Sequence, residues 1–281
     1  MTGQQVRRPG PTAGTLVVAR VELAKLTAQR RVRLAFGACA AVPFLLVLVL
    51  RVQSGVPEDT LFGRWVQESG FAVPLVVLGF AGTWLLPLLG ALVAGDVFAA
   101  EDRNGMWPLL LTRSRSRAEL FLGKALVAAG CSVALVLLLG LSSLAAGLLL
   151  VGSQPLVGLS GQLLPPGRCL LLVLASWLSV LPPVLTFTAL ALLLSVRARS
   201  AAVGVAVPVV VGLLLQLLAL VQGADVLRHL LPSTAFESWH GLFAAPEFRG
   251  PLLQGVLVSA TAGAALLGAA WLVFASRDDR G

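Results

Sequence analysis

The chain is poor in the residues that soluble chemistry uses. Of its 281 residues only 12% are charged, two are histidine and none is tyrosine. A soluble domain carries about 25% charged residues, so a soluble enzyme and a disordered tail are both excluded. Cys39, Cys131 and Cys169 show no paired spacing, which excludes a secreted disulfide scaffold. A phosphate-cradling loop is also missing. The only Gly-Lys pair, Gly123-Lys124, is followed by Ala125, and Ala118 stands where the first glycine of G-x-x-x-x-G-K-[ST] belongs. Thirty-three mostly polar and basic residues precede the first apolar run, too many for the charged region of a cleavable signal peptide.

What is present is apolar. Hydrophobic residues make up 57% of the chain and the mean hydropathy is +0.91. Six uncharged stretches hold the excess: 34–50, 71–95, 125–151, 169–196, 201–222 and 252–274. Their lengths match the roughly 17–25 residues that cross a bilayer, or more when tilted. The expected fold is an all-α integral membrane protein with six transmembrane helices. Residues 1–33 form a cytoplasmic N-terminal segment, 34–274 a six-span domain and 275–281 a cytoplasmic tail.

The net charge of +8 is a matter of placement. Alternate connecting segments hold 16 and 5 of the 21 Lys and Arg residues. Basic flanks stay cytoplasmic, so both termini and the loops 96–124 and 197–200 are expected inside a plasma membrane. The positive charge is a topology signal, and no nucleic-acid partner is expected.

None of the six stretches contains Asp, Glu, Lys or Arg. Proton-coupled carriers need such groups as relays, so any transport energy should come from a partner. Ser142, Ser143, Ser176, Ser179, Thr186, Thr188 and Ser259 read as helix–helix hydrogen bonding. Pro43, Pro87, Pro182, Pro183 and Pro208 each favour a kink.

The loop at residues 96–124 is the most informative segment. The second span should continue below the membrane until Gly105, a residue suited to a left-handed helix stop. Ser116-Arg117-Ala118-Glu119 fits a capping box before an apolar run. A third helix from there to Val151 would be about 50 Å long at 1.5 Å per residue. Between the two lies Met106–Arg115, apolar first (Met106, Trp107, Leu109, Leu110, Leu111) and basic after (Arg113, Arg115). It reads equally as an element lying in lipid headgroups or as a knob for a groove on a cytoplasmic protein.

The pattern E-D-R-N-G-x-x-x-x-L-L-x-x-x-x-S-R-x-E-x-x-x-x-K, Glu101 to Lys124, resembles the loop between spans two and three of type-2 ATP-binding-cassette (ABC) exporter permeases. The segment Ala19–Leu26, with Glu22 and Lys25 three apart, is similar to that family's N-terminal interfacial connecting helix. The resemblance implies a permease subunit with a short cytoplasmic coupling element. It would pair with a second permease subunit, a copy or a paralogue, in the lipid bilayer. Each would sit on a cytoplasmic P-loop ATPase subunit that binds ATP and Mg, leaving no cofactor on this chain. ATPase coupling falls to Glu101, Gly105, Met106, Trp107, Leu110, Leu111, Arg117 and Lys124, and the connecting helix to Glu22 and Lys25. No catalytic residue is expected. The alternative is a non-transporting scaffold or sensor subunit with the same fold.

Two outer segments remain. The loop at 223–251 is unusually apolar and should fold back to the membrane surface as one or two short helices. It holds both histidines, His229 and His240, with Glu237. An i,i+3 Glu/His pair can ligate metal, but without a zinc motif these read as interfacial polar groups and no metal is expected. The Gly/Pro-rich loop at 152–168 reads as a plain outer turn.

Overall fold

A computed structural model describes residues 11–52, 61–103, 116–219 and 231–276. The helices are α1 (Pro11–Ala28), α2 (Arg30–Val52), α3 (Ala72–Thr83), α4 (Leu85–Ala94), α5 (Ala99–Arg103), α6 (Arg117–Leu150), α7 (Pro166–Ser179), α8 (Leu181–Ala198), α9 (Ala201–Ala219) and α10 (Gly250–Ala275). Five helical segments are long and apolar enough to cross a membrane: α2, α6, α7 with α8, α9 and α10. The bent pair α3 and α4 makes a sixth. The chain is a multi-pass membrane protein.

Helix α6 is the central mast, and its start follows from local sequence. Glu119 N donates to Ser116 Oγ (3.2 Å) while Ser116 N donates to Glu119 Oε2 (3.0 Å), which completes the expected capping box. Its 34 residues span about 50 Å, more than a bilayer core of roughly 30 Å. Neighbouring elements approach it closely at its small residues. A Cβ at Gly140 would stand 2.6 Å from the Trp177 ring of α7, and one at Gly147 would overlap the backbone of Gly70. Without hydrophobic attraction between spans in lipid, such close packing carries much of the association.

The prolines divide into two kinds. The stretch 71–95, expected as one span, is two helices meeting at 64°. Its break at Trp84 follows from Pro87, whose ring collides with the carbonyl four residues back, that of Thr83. The expected extension to Gly105 is interrupted by turns at residues 95–98 before α5, and Gly105 itself lies outside the described residues. The stretch 169–196 likewise splits at Val180, and Pro182 and Pro183 fall in the first turn of α8, where their missing N–H groups cost nothing. Pro43 and Pro208, in contrast, stay inside unbroken helices. The carbonyl orphaned by Pro43 is that of Cys39, and it accepts from Ser142 Oγ of α6 at 2.5 Å. Thr186 donates to the Ser259 carbonyl (2.7 Å) and Thr188 to Ser132 Oγ (3.2 Å), also between helices. Ser143, Ser176 and Ser179 bond within their own helices.

The end of the bundle away from α1 departs most from expectation. Residues 152–168 are not a plain turn. They carry a two-residue antiparallel ladder, β1 (Leu156–Val157) and β2 (Leu163–Leu164), with Leu156 opposite Leu164. Within 223–251, residues Pro232–Phe243 form a short helix, as expected, of 3-10 type and packed against the bundle. Phe236, Trp239 and Phe243 are buried there. Phe62 stacks on Trp239 (6.2 Å) and meets Phe243 edge-on (5.1 Å), and Phe187 faces Phe236 (5.9 Å). Aromatic burial is the reason: three large side chains gain more from the bundle than from a wet headgroup layer. The hairpin clamps the segment's end, since Leu159 N and Gln162 Nε2 both donate to the Phe243 carbonyl at 2.9 Å.

Candidate functional site

At the opposite end, three elements far apart in sequence bring four charged side chains together. On α1, Val18, Glu22 and Leu26 are buried at four-residue spacing, so one helix face turns inward with a carboxylate in its middle. That face lies on α6 because position 123 is glycine: a Cβ there would stand 2.6 Å from Val18 Cγ1. One residue later, Lys124 of α6 is 1% exposed. Glu101 comes from α5, whose start is held by Ser195 of α8, with the N–H groups of Phe98 and Ala99 both donating to its Oγ at 3.1 Å.

Lys124 Nζ has three donors and three acceptors for them. It donates to Glu101 Oε1 (2.8 Å) and the Val97 carbonyl (3.1 Å), and it pairs with Glu22 Oε2 at 3.1 Å. It also lies 5.5 Å from the Phe98 ring centroid. Lys25 Nζ closes the arrangement from the solvent side, at 2.8 Å from Glu22 Oε1 and 3.2 Å from Glu101 Oε1. Burial works against the Lys25 ammonium. Hydrogen bonding to Glu22 and the charges of Glu22 and Glu101 outweigh it, so its pKa lies above the ordinary value. Two carboxylates and two ammoniums leave the cluster neutral, the condition under which buried charge is tolerable.

Around this core, Arg31 Nη2 pairs with Asp96 Oδ2 at 2.8 Å and ties the start of α2 to the turn after α4. Arg117 Nη1 donates to the Ala275 carbonyl (2.9 Å), bonding a free carbonyl in the last turn of α10. Phe98, Phe121, Trp271 and Phe274 pack together beside it, with centroids 5.3–5.8 Å apart in four pairs. The structure thus unites Glu22, Lys25, Glu101 and Lys124. It leaves Arg117 outside the cluster, as a link from α6 to α10. Glu101 is buried and Arg117 is half-buried. Gly105, Met106, Trp107, Leu110 and Leu111 lie outside the described residues. Sequence reasoning assigned no pairing to Arg31, Asp96 or Ser195. Their one signal was position on the same side of the membrane, which says nothing of pairing. Among the described residues no three His, Cys, Asp or Glu side chains gather as metal ligands.

Comparison with known proteins places this geometry. Residues 18–214 match the family described as ABC-2 family transporter protein. A stretch of 92 residues is 36% identical to the probable ABC transporter permease protein NosY of Stutzerimonas stutzeri. That alignment covers 31% of this chain and 33% of the relative, so the chain spans only about a third of that protein's length. The family match takes in α2 to α8 whole and all four residues of the buried cluster. With its apolar spans, broken second span and internally paired charges, the chain belongs to the ABC-2 transporter family.

Proposed function

We propose that the chain is the permease subunit of an ABC exporter, with its charged end in the cytoplasm and both termini on that side of the plasma membrane. Two permease subunits form the substrate pathway. A separate cytoplasmic P-loop ATPase under each holds the ATP and Mg, and this chain contributes no catalytic residue. Movement of the ATPase acts on the segment between α5 and α6, with Gly105, Met106, Trp107, Leu110 and Leu111 as the coupling residues.

The observation that carries this reading is the buried Glu22–Lys25–Glu101–Lys124 cluster. It joins the helix before that segment to the helix after it, and both to α1. A force applied between α5 and α6 therefore cannot spread the two helices without separating buried charges. It moves α1, α5 and α6 as one lever, and Arg117 carries the motion to α10.

The test is a mild-detergent pull-down of the tagged chain with mass spectrometry and an ATPase assay. A stoichiometric P-loop ATPase, lost in Leu110→Asp while the chain still inserts in the membrane, is the expected result. Recovery of the chain without an ATPase would replace this reading with the scaffold subunit. Sidedness is checked in a cysteine-free background: Ser153→Cys, exposed beside the hairpin, should label from outside, and Ser276→Cys, exposed beyond α10, only after permeabilisation.

A further inference from the structure

At the hairpin end a cavity of about 300 Å³ lies between α3, residues 61–62 and the 3-10 helix. This is the lower end of the size range of ligand pockets. Its walls are aromatic: Phe62, Phe80, Phe236 and Trp239. Two of the residues lining it carry a polar group without a partner among the described residues. The Trp239 side chain is 1% exposed, yet its indole N–H has no acceptor among the described residues, and buried indole N–H groups usually find one. Glu237 lines the exposed rim of the cavity and forms no ion pair or hydrogen bond among the described residues. His240, also in the wall, stands 4.2 Å from the Trp239 ring, and burial pushes its pKa down, so it adds no positive charge near neutral pH. Gly79 leaves the space open, since a Cβ there would meet nothing within 4 Å.

We infer that this cavity binds an organic cation: an amine or quaternary ammonium on an apolar body that also carries a hydrogen-bond acceptor. Each feature of the ligand answers one feature of the site. The cation meets the aromatic walls and the Glu237 carboxylate, unpaired among the described residues. The apolar body fills the aromatic walls, and the acceptor takes the free indole N–H of Trp239. A purely apolar ligand would leave the carboxylate and the N–H unanswered, and an anion would face a carboxylate with no compensating base among the described residues. The inference needs only the fold and stands whether or not an ATPase binds at the far end.

The probe is benzoylcholine, which has an aromatic body, an ester acceptor and a quaternary ammonium. Its uncharged twin is 3,3-dimethylbutyl benzoate, with carbon in place of the charged nitrogen. Calorimetry on the full chain in lipid nanodiscs, with empty nanodiscs subtracted, should show saturable one-to-one binding of benzoylcholine. The uncharged twin should bind at least about tenfold more weakly, and Glu237→Gln, an exposed position that leaves packing untouched, should weaken benzoylcholine by a similar factor. Gly79→Leu should abolish binding by filling the cavity, while Trp239→Phe should weaken it without loss of the fold. Equal binding of the two twins, indifference to Glu237→Gln or to Gly79→Leu, or absence of saturable binding would each overturn the assignment. Pull-down of an ATPase by Gly79→Leu should be unchanged, which separates failure of this site from failure of the permease reading.

Discussion

The two ends of the bundle are held by opposite means. The charged end is joined by Glu22, Lys25, Glu101 and Lys124, whose contacts are directional and specific to one registry of α1, α5 and α6. The hairpin end is joined by stacked rings, backbone contacts between Gly70 and Gly152, and, among the described residues, only a surface trio of Arg168, Glu247 and Arg249 for charge. Ring packing tolerates a range of arrangements at similar energy, whereas a buried charge separated from its partner has no second-best state. An end that must pass on a push benefits from the first kind of joint. An end that must admit and release a ligand benefits from the second.

Removing Lys124 is the most severe way to break this contrast. Lys124→Met leaves two buried carboxylates with only the half-exposed Lys25 and should cost about 3–5 kcal/mol, read as a lower unfolding temperature in nanodiscs. Adding Glu101→Gln to it should restore part of the loss, because it removes a stranded charge. A Lys124→Met protein as stable as the parent would mean the cluster braces nothing. Next comes Gly123→Val, which keeps every charge but pushes α1 off α6. Overpacking of this kind costs about 1–3 kcal/mol. ATPase co-purification should persist while substrate-stimulated turnover falls; unchanged turnover would remove α1 from the lever. Ser116→Ala deletes the capping box and should cost about 1 kcal/mol, with helix loss confined to the first turn of α6 by hydrogen exchange.

The smallest effect sharpens the hairpin end. His240 titrates below the ordinary histidine value because burial favours its neutral form. The unfolded chain binds a proton near pH 6.5 and the folded one only at lower pH. Stability from this group is therefore complete above about pH 6.5 and declines as pH falls below it. Unfolding followed from pH 7.5 to pH 5 should show this decline, and His240→Gln should flatten it. An identical slope in the variant would assign the effect elsewhere.

Legibility in the sequence follows the range of the interaction. The capping box at Ser116 and Glu119 involves residues three apart, and the structure forms it where the pattern lies. The Glu22/Lys25 pair is equally local. Glu101 and Lys124 are 23 residues apart and were singled out only by resemblance to a family loop, with no indication that they touch. The short helix at Pro232–Phe243 is expected from its sequence, but its packing is not legible there, because apolar content suits a membrane surface as well as a protein interior. Only the presence of Phe62 and Phe187 opposite it decides between them.

By itself the sequence determined that the chain spans a membrane, where its apolar stretches lie and where α6 starts, because hydropathy and capping act along a contiguous stretch. Tertiary structure decided the rest. Pro87 breaks its span, while Pro43 does not, its orphaned Cys39 carbonyl finding Ser142 on another helix. Lys124 is buried and not a flanking base, because α1 covers it through the gap at Gly123 and supplies Glu22. The same residue type meets either fate according to which partner folding brings within reach, and that partner is not written nearby in the chain.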